Sequence, residues 1–324
     1  MSSDPARSLV QMRRRMLAGA VAGSFSGLSR FGGLFPAASP AYHGVRRSVG
    51  IPYVEGGGAE HQLDVYRPQD ASGLLPVVVY IHGGAFHALS KDTHWLMALG
   101  FARRGYVVFN INYRLGPHHR YPAAAEDACA AWCWVAQHAA EYGGDPQRMV
   151  VAGESAGANL AAVVAVASAW RRAERWAQAV YDAPVLPRAA LAACGIYQVT
   201  DTARLTGGRS FAMRDLLTNV EESYLPDDRL SVDLALADPL GVVESAAPSR
   251  PAPPFFLPVG TWDPLLEDTR RMAAALANRG VPVAERYYAR ELHAFHAFVW
   301  RAQAKQCWND MHGFLAEQVA YTPA

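Results

Sequence analysis

The run Gly153-Glu154-Ser155-Ala156-Gly157 constrains the fold more than any other feature of the chain. It follows the apolar run Met149-Val150-Val151-Ala152 and precedes Asn159-Leu160-Ala161-Ala162, which continues with helical character. A Gly-x-Ser-x-Gly run between a strand and a helix makes a sharp, strained turn that lifts the serine hydroxyl above the end of a sheet. Glycine at 153 and 157 gives room, because a side chain there would strike neighbouring backbone. Ser155 is therefore the candidate nucleophile. The helix after it aims its positive dipole end at a developing oxyanion.

The rest of the chain alternates in a way that suits this turn. Ser48–Val54 and His61–Tyr66 read as a hairpin around Gly56-Gly57-Gly58. No helix follows that Gly triplet, so it is a turn and not a phosphate loop. Val77–Ile81 is a continuous apolar run, as expected of a strand buried on both faces. Helices are expected at Lys91–Arg104, Ala123–Tyr142, Leu265–Arg279 and Phe295–Val319, and strands at Tyr106–Asn110, Arg148–Ala152, Ala189–Ile196, Pro254–Gly260 and Val283–Tyr288. Repeated strand–helix units imply an α/β fold with a mostly parallel sheet and helices on both faces.

Tyr197 to about Pro253 breaks the rhythm, with short helices expected at Leu216–Tyr224 and Val232–Ala237. A long excursion at the carboxyl ends of the strands is a candidate cap over the site. The division expected is an N-terminal cap or lid segment at 1–45 and a catalytic domain at 46–324, with the cap insertion at about 197–250. The N-terminus has a second reading. Arg13-Arg14-Arg15, then Met16–Gly23 and the small residues Ala37-Ala38, faintly resemble an export signal. A mobile lid is preferred, because the apolar stretch is short and diluted by Gly and Ser. The cytoplasm is the expected location, with export as the alternative.

Composition narrows the partners. The 324 residues are 51% hydrophobic and 18% charged, with a net charge of +1. A near-neutral balance gives no reason to expect nucleic acid. No stretch approaches the roughly 18 apolar residues of a membrane span, so no stable membrane insertion is expected. The four cysteines, Cys129, Cys133, Cys194 and Cys307, match no zinc or redox spacing and read as buried small hydrophobes. No His-Glu-x-x-His or other metal-ligand spacing appears, so no metal and no cofactor are expected. A small apolar molecule is the expected partner.

The serine needs partners, and their order along the chain is fixed: acid, then histidine. Asp263 lies just past the strand that ends at Gly260, where such an acid belongs; Glu267 and Asp268 are already on a helix and read as capping or solvated groups. In Glu291-Leu292-His293-Ala294-Phe295-His296, His293 sits in the loop and His296 one turn on, so His293 is the candidate base. Directly after a buried strand stands His82-Gly83-Gly84-Ala85-Phe86. The amides of Gly83, Gly84 and Ala156 are the expected oxyanion donors, with His82 bracing the loop and Glu154 as part of the elbow.

These runs together resemble the hormone-sensitive-lipase-like carboxylesterases, family IV of the α/β-hydrolase superfamily. His82–Phe86 resembles the His-Gly-Gly-Gly motif of that family. Asn112-Tyr113-Arg114-Leu115-Gly116-Pro117 is similar to its Asp-Tyr-Arg-Leu-Ala-Pro run, and Tyr121–Asp127 to its Phe-Pro-Ala-Ala-x-Glu-Asp run. Gly153–Leu160, Asp263–Asp268 and His293-Ala294-Phe295 match further motifs. Ala85 departs from the third Gly, Glu154 from Asp, Ala294 from Gly, and His118 stands where the family often has Glu. The resemblance implies an α/β-hydrolase fold with a helical cap, and a serine hydrolase of short- to medium-chain acyl esters working through an acyl-enzyme. It implies a small-molecule ester as partner. Two alternatives stay open: an amide hydrolase of the kynurenine formamidase type, and a ligand receptor like those for gibberellin, which lack the catalytic histidine. Some relatives form homodimers through the last strand and helix. The closing segment with Trp300, Trp308 and Phe314 fits either that contact or packing on the sheet.

Overall fold

The computed structural model describes residues 5–320. The first described element is a 28-residue helix, α1 (Pro5–Gly32). The hairpin comes next as β1 (Val45–Pro52) and β2 (Gln62–Pro68), paired antiparallel. Strands and helices then alternate through β3 (Leu75–Ile81), α2 (Trp95–Ala102), β4 (Val107–Ile111), α3 (Ala123–His138), β5 (Gly144–Glu154) and α4 (Ala156–Ala169). After α5 (Arg175–Tyr181) and β6 (Ala190–Ala193), the excursion carries α6 (Phe211–Tyr224) and α7 (Pro239–Ser245). The chain closes with β7 (Phe255–Gly260), α8 (Leu266–Asn278), β8 (Val283–Tyr288) and α9 (Ala302–Gln318).

Among the described residues, the eight strands form one sheet in the order β1-β2-β4-β3-β5-β6-β7-β8. Only the pairings of β2 are antiparallel; every pairing from β4 to β8 is parallel. Alternate side chains of each strand enter opposite cores. Val77, Val79 and Ile81 pack with α3, α4 and α8, whereas Val78 and Tyr80 pack with α2 and α9. Every residue of α4 is buried, as its composition, mostly Ala and Val, suits. Each large core side chain, such as Trp132 or Phe109, contributes about 1.5–3 kcal/mol by leaving water.

Register places the site. Ile81 of β3 pairs with Gly153 of β5, so the loop that begins at His82 starts beside the elbow. Glu154 pairs with Ala193, and Gly260 with Tyr288. The loops after β3, β5, β6, β7 and β8 therefore emerge at one edge, the carboxyl ends of parallel strands, where ligands bind in such sheets.

Several expectations are corrected. The strand expected at 189–196 stops at Ala193, because Cys194 turns to φ 42° and leaves the extended region. The helix expected at 295–319 is interrupted: a 3-10 turn at Phe295–Ala297 precedes α9. The expected helix at 232–237 is only a 3-10 turn at Ala235–Ala237, whereas α6 starts earlier and α7 lies unexpected within the same excursion. Asp268 is not a solvated helix residue. It is fully buried and accepts the Tyr197 N–H at 2.8 Å and an Arg204 hydrogen bond at 2.5 Å, which anchors the start of the excursion. Trp308 and Phe314 pack on Phe101 and Phe256, while Trp300 is exposed.

The segment before β1 is strongly structured in part. Arg13 and Arg14 of α1 both donate to Asp215 of α6, at 2.9 and 3.1 Å, and Arg14 reaches Glu222 at 2.5 Å. Residues read as a weak signal-like charge cluster thus dock α1 on the excursion. No described helix is long and apolar enough to cross a membrane.

Candidate active site

Ser155 joins β5 to α4 at φ 56° and ψ −119°, a conformation that costs a non-glycine residue about 1–3 kcal/mol. The flanking glycines make the turn possible. A Cβ on Gly153 would lie 2.3 Å from the Gly157 carbonyl oxygen, and one on Gly157 would lie 2.1 Å from that of Ile81. The strain is held by the Ser155 N–H donating to Ala193 of the neighbouring strand at 2.9 Å, and by burial of the whole following helix.

The serine hydroxyl oxygen lies 2.9 Å from His293 Nε2. His293 Nδ1 lies 2.9 Å from Asp263 Oδ2. The other Asp263 oxygen accepts the Leu265 N–H at 2.8 Å, which fixes the carboxylate plane. Asp263 is buried, while the His293 side chain keeps a third of its surface exposed. Burial disfavours charge on the imidazole. The Asp263 charge and hydrogen bond outweigh it and hold the His293 pKa well above the usual imidazole value. Asp263 also fixes the tautomer: Nδ1 carries the proton toward the carboxylate, and Nε2 offers its lone pair to Ser155. His296, the competing histidine, is buried and turned away from Ser155 onto Glu154.

The loop after β3 is less simple than the expected donor set. The Gly83 N–H points at His94 Nε2, 3.3 Å away in the protein interior. That orientation removes Gly83 from the expected donors. The Gly84 and Ala85 amides have no acceptor among the described residues, and Ala156 opens α4, where N–H groups are free. Gly84 sits at φ 123°, and a Cβ there would fall 2.0 Å from the Ala88 carbonyl oxygen. Ala85 and Phe86 also hold positive φ, 54° and 61°, which a third glycine would adopt without strain. His82 lies at the start of this loop, buried. It stacks on Tyr113 at 4.3 Å, contacts the Gly83 carbonyl at 2.6 Å, and its pKa is driven down to about 3 by burial, so it is neutral.

Glu154 carries more than its motif suggested. Its carboxylate is buried between His94 Nε2 at 2.8 Å and His296 Nε2 at 2.5 Å. Burial opposes its ionisation, but His296 and then His94 outweigh that and hold the carboxyl far below the usual range. One side chain next to Ser155 thus touches both His94, which faces the Gly83 N–H, and His296, three residues past His293. Neither histidine could be paired with Glu154 from spacing, because the chain separations are long and no motif joins them.

The excursion forms a wall beside the loop. Phe86 stacks on Tyr224 of α6 at 3.7 Å, and His87 meets Asn219 at 3.1 Å. Asn159 of α4 donates to the Ile196 and Ala237 carbonyls at 2.8 and 3.1 Å, tying the excursion to the helix after the serine. The Arg114 guanidinium pairs with Asp127 at 2.7 Å and Glu126 at 2.9 Å, which orders the stretch from Asn112 to Asp127.

The chain is similar to known hydrolases along its length. The carboxylesterase NlhH of Mycobacterium tuberculosis (strain ATCC 25618 / H37Rv) is 48% identical over 102 residues, covering 31% of this chain and 32% of that protein. The acetyl esterase of Salmonella schwarzengrund (strain CVM19633) is 33% identical over 237 residues, covering 71% of this chain and 68% of that protein. The chain thus spans about a third of the first relative and about two thirds of the second. The structure of a hyperthermophilic esterase from the archaeon Pyrobaculum calidifontis superposes with a TM-score of 0.72 at 25% identity, covering 98% of this chain and 99% of that one. A family model described as alpha/beta hydrolase fold matches residues 78–297, from the second half of β3 to the turn just past His293. That span takes in the elbow, both of its partners and the loop beside it, and the chain belongs to the α/β-hydrolase fold family, in its hormone-sensitive-lipase-like group.

Proposed function

We propose that the protein is a carboxylic ester hydrolase that works through an acyl-enzyme on Ser155. The observation that carries this reading is the unbroken hydrogen-bonded chain from Ser155 Oγ through His293 to buried Asp263, each link 2.9 Å. Esterases among the relatives support the same chemistry. Nε2 of His293 takes the Ser155 proton as Oγ attacks the ester carbonyl. The Gly84 and Ala156 amides, with Ala85 in place of Gly83, donate to the oxyanion; each good donor contributes about 3 kcal/mol. The imidazolium passes its proton to the leaving alcohol. Water, deprotonated by the same Nε2, then attacks the acyl-enzyme and frees the acid.

Short- to medium-chain acyl groups are the substrates proposed, on the resemblance to the hormone-sensitive-lipase-like carboxylesterases; Phe86, which follows the Gly83-Gly84-Ala85 loop, is held by stacking on Tyr224 of α6. The test is hydrolysis of p-nitrophenyl esters from acetate to decanoate, with N-formylkynurenine as an amide control. Rates should peak at acetate to hexanoate and fall by at least about tenfold at decanoate, and Ser155→Ala should lose roughly 10³-fold or more. Ser155→Ala activity within tenfold of wild type refutes the nucleophile. A faster rate on the formamide than on any ester refutes the substrate class.

A further inference from the structure

Cys194 has no part in that chemistry, yet its thiol lies against the acid and the base. The residue directly follows β6, where its φ of 42° is unfavourable for a side chain-bearing residue. Its N–H donates to the Pro258 carbonyl of β7 at 2.9 Å, so the strained position is pinned to the neighbouring strand. As a result Cys194 Sγ, an Asp263 carboxylate oxygen and a His293 ring nitrogen all lie within 4.8 Å of one another. Among the described residues, no other group of His, Cys, Asp and Glu gathers this way.

Thiolate, imidazole and carboxylate together are the donor set of borderline and soft divalent cations, whereas hard cations prefer oxygen alone. Around Zn²⁺, tetrahedral ligands at about 2.0–2.3 Å lie roughly 3.4–3.8 Å apart, so closing this cluster takes movements of about 1 Å. Two anionic ligands also balance the double charge of the cation. We propose that Cys194, Asp263 and His293 form a binding site for Zn²⁺ or Cd²⁺, and that its occupation stops hydrolysis.

The steps balance. The cation displaces the Cys194 thiol proton to solvent and takes one carboxylate oxygen and one ring nitrogen. Coordination at Nε2 occupies the lone pair that Ser155 needs. Coordination at Nδ1 moves the ring proton to Nε2, which then donates to Ser155 and accepts nothing. Either way the serine proton has no acceptor. Entry is from the substrate side, where His293 is exposed while Cys194 and Asp263 are buried. The fourth position of the cation is left to water or to a substrate carbonyl.

The inhibition rests on the proposed esterase reading, but the cation site does not, so binding and rate are measured separately. Cd²⁺ is titrated into purified protein and followed by the ultraviolet band of a cadmium–thiolate bond. Wild type, Ser155→Ala and Cys133→Ser should each bind one Cd²⁺ with this band, and Cys194→Ala should lose it. Zn²⁺ is titrated against p-nitrophenyl butyrate hydrolysis, with each variant compared to its own uninhibited rate. The inhibitory concentration should rise by about tenfold or more in Cys194→Ala. Cys194→Ser keeps the volume and serves if the alanine variant does not fold. Absence of the band in wild type, its survival in both Cys194 variants, or unchanged inhibition in them overturns the proposal. A protein that binds Cd²⁺ through Cys194 but hydrolyses no ester keeps the site and sinks the esterase reading instead.

Discussion

Glu154→Gln removes one charge from the most enclosed ionic cluster near the serine and changes almost no volume. The wild-type carboxylate, only 6% exposed, meets His94 at 2.8 Å and His296 at 2.5 Å. Contacts to a charged group contribute about 1.5–3 kcal/mol each, which sums to roughly 3–6 kcal/mol for two. The amide oxygen of Gln keeps one partner, and its NH₂ faces the other ring. A loss of about 3 kcal/mol remains, the contribution of about one such contact. The pH dependence has a definite sign. The folded pKa of Glu154 lies far below the ordinary 4.5, so its stabilisation is full above 4.5 and is lost as pH falls below that value toward the folded pKa. Urea unfolding followed by the fluorescence of the eight tryptophans measures both effects. The wild type should exceed the variant by about 3 kcal/mol at pH 7, with the gap narrowing below pH 4.5. A gap under about 1 kcal/mol at pH 7, or one that does not narrow on acidification, refutes the cluster as a source of stability.

Three other outcomes are expected from the geometry. Asp263→Asn should leave the fold intact but lower kcat by roughly 10⁴-fold, because the amide favours the wrong His293 tautomer; circular dichroism and p-nitrophenyl butyrate kinetics read the two parts. The acid limb of kcat/KM should have its midpoint above 6.5, since Asp263 raises the His293 pKa and the base acts only when neutral; a midpoint below 6.5 contradicts it. Asp215→Asn removes the negative charge and one of the two acceptor oxygens that hold Arg13 and Arg14, so limited proteolysis within α1 should speed up while the midpoint of global unfolding stays put.

The serine elbow was legible because two glycines around a serine, between an apolar run and an alanine-rich helix, leave few other conformations. Asp263 and His293 were legible because each sits just past a strand that runs to the same sheet edge. The mostly parallel sheet with helices on both faces came from the alternation of strands and helices; the elbow and the family resemblance made it an α/β-hydrolase fold. Less was readable where tertiary contacts decide. α1 has too many glycines and serines to stand out as a helix, and it is held by Asp215, some two hundred residues away. The partners of Glu154 come from α2's leading turn and from beyond β8. The orientation of the Gly83 amide depends on where His94 lies, which no motif records. β6 ends early because of the backbone at Cys194, and a lone Cys in an apolar run carries no signal of that.

The central claim is that Ser155 becomes acylated and that His293 and Asp263 make it so. The most direct measurement is intact and peptide mass spectrometry of the protein after brief mixing with a slowly turned-over p-nitrophenyl ester. The account predicts one added acyl group, located on Ser155, absent in Ser155→Ala and strongly slowed in Asp263→Asn. Release of p-nitrophenol with no adduct on Ser155, or an adduct carried by another residue, contradicts it.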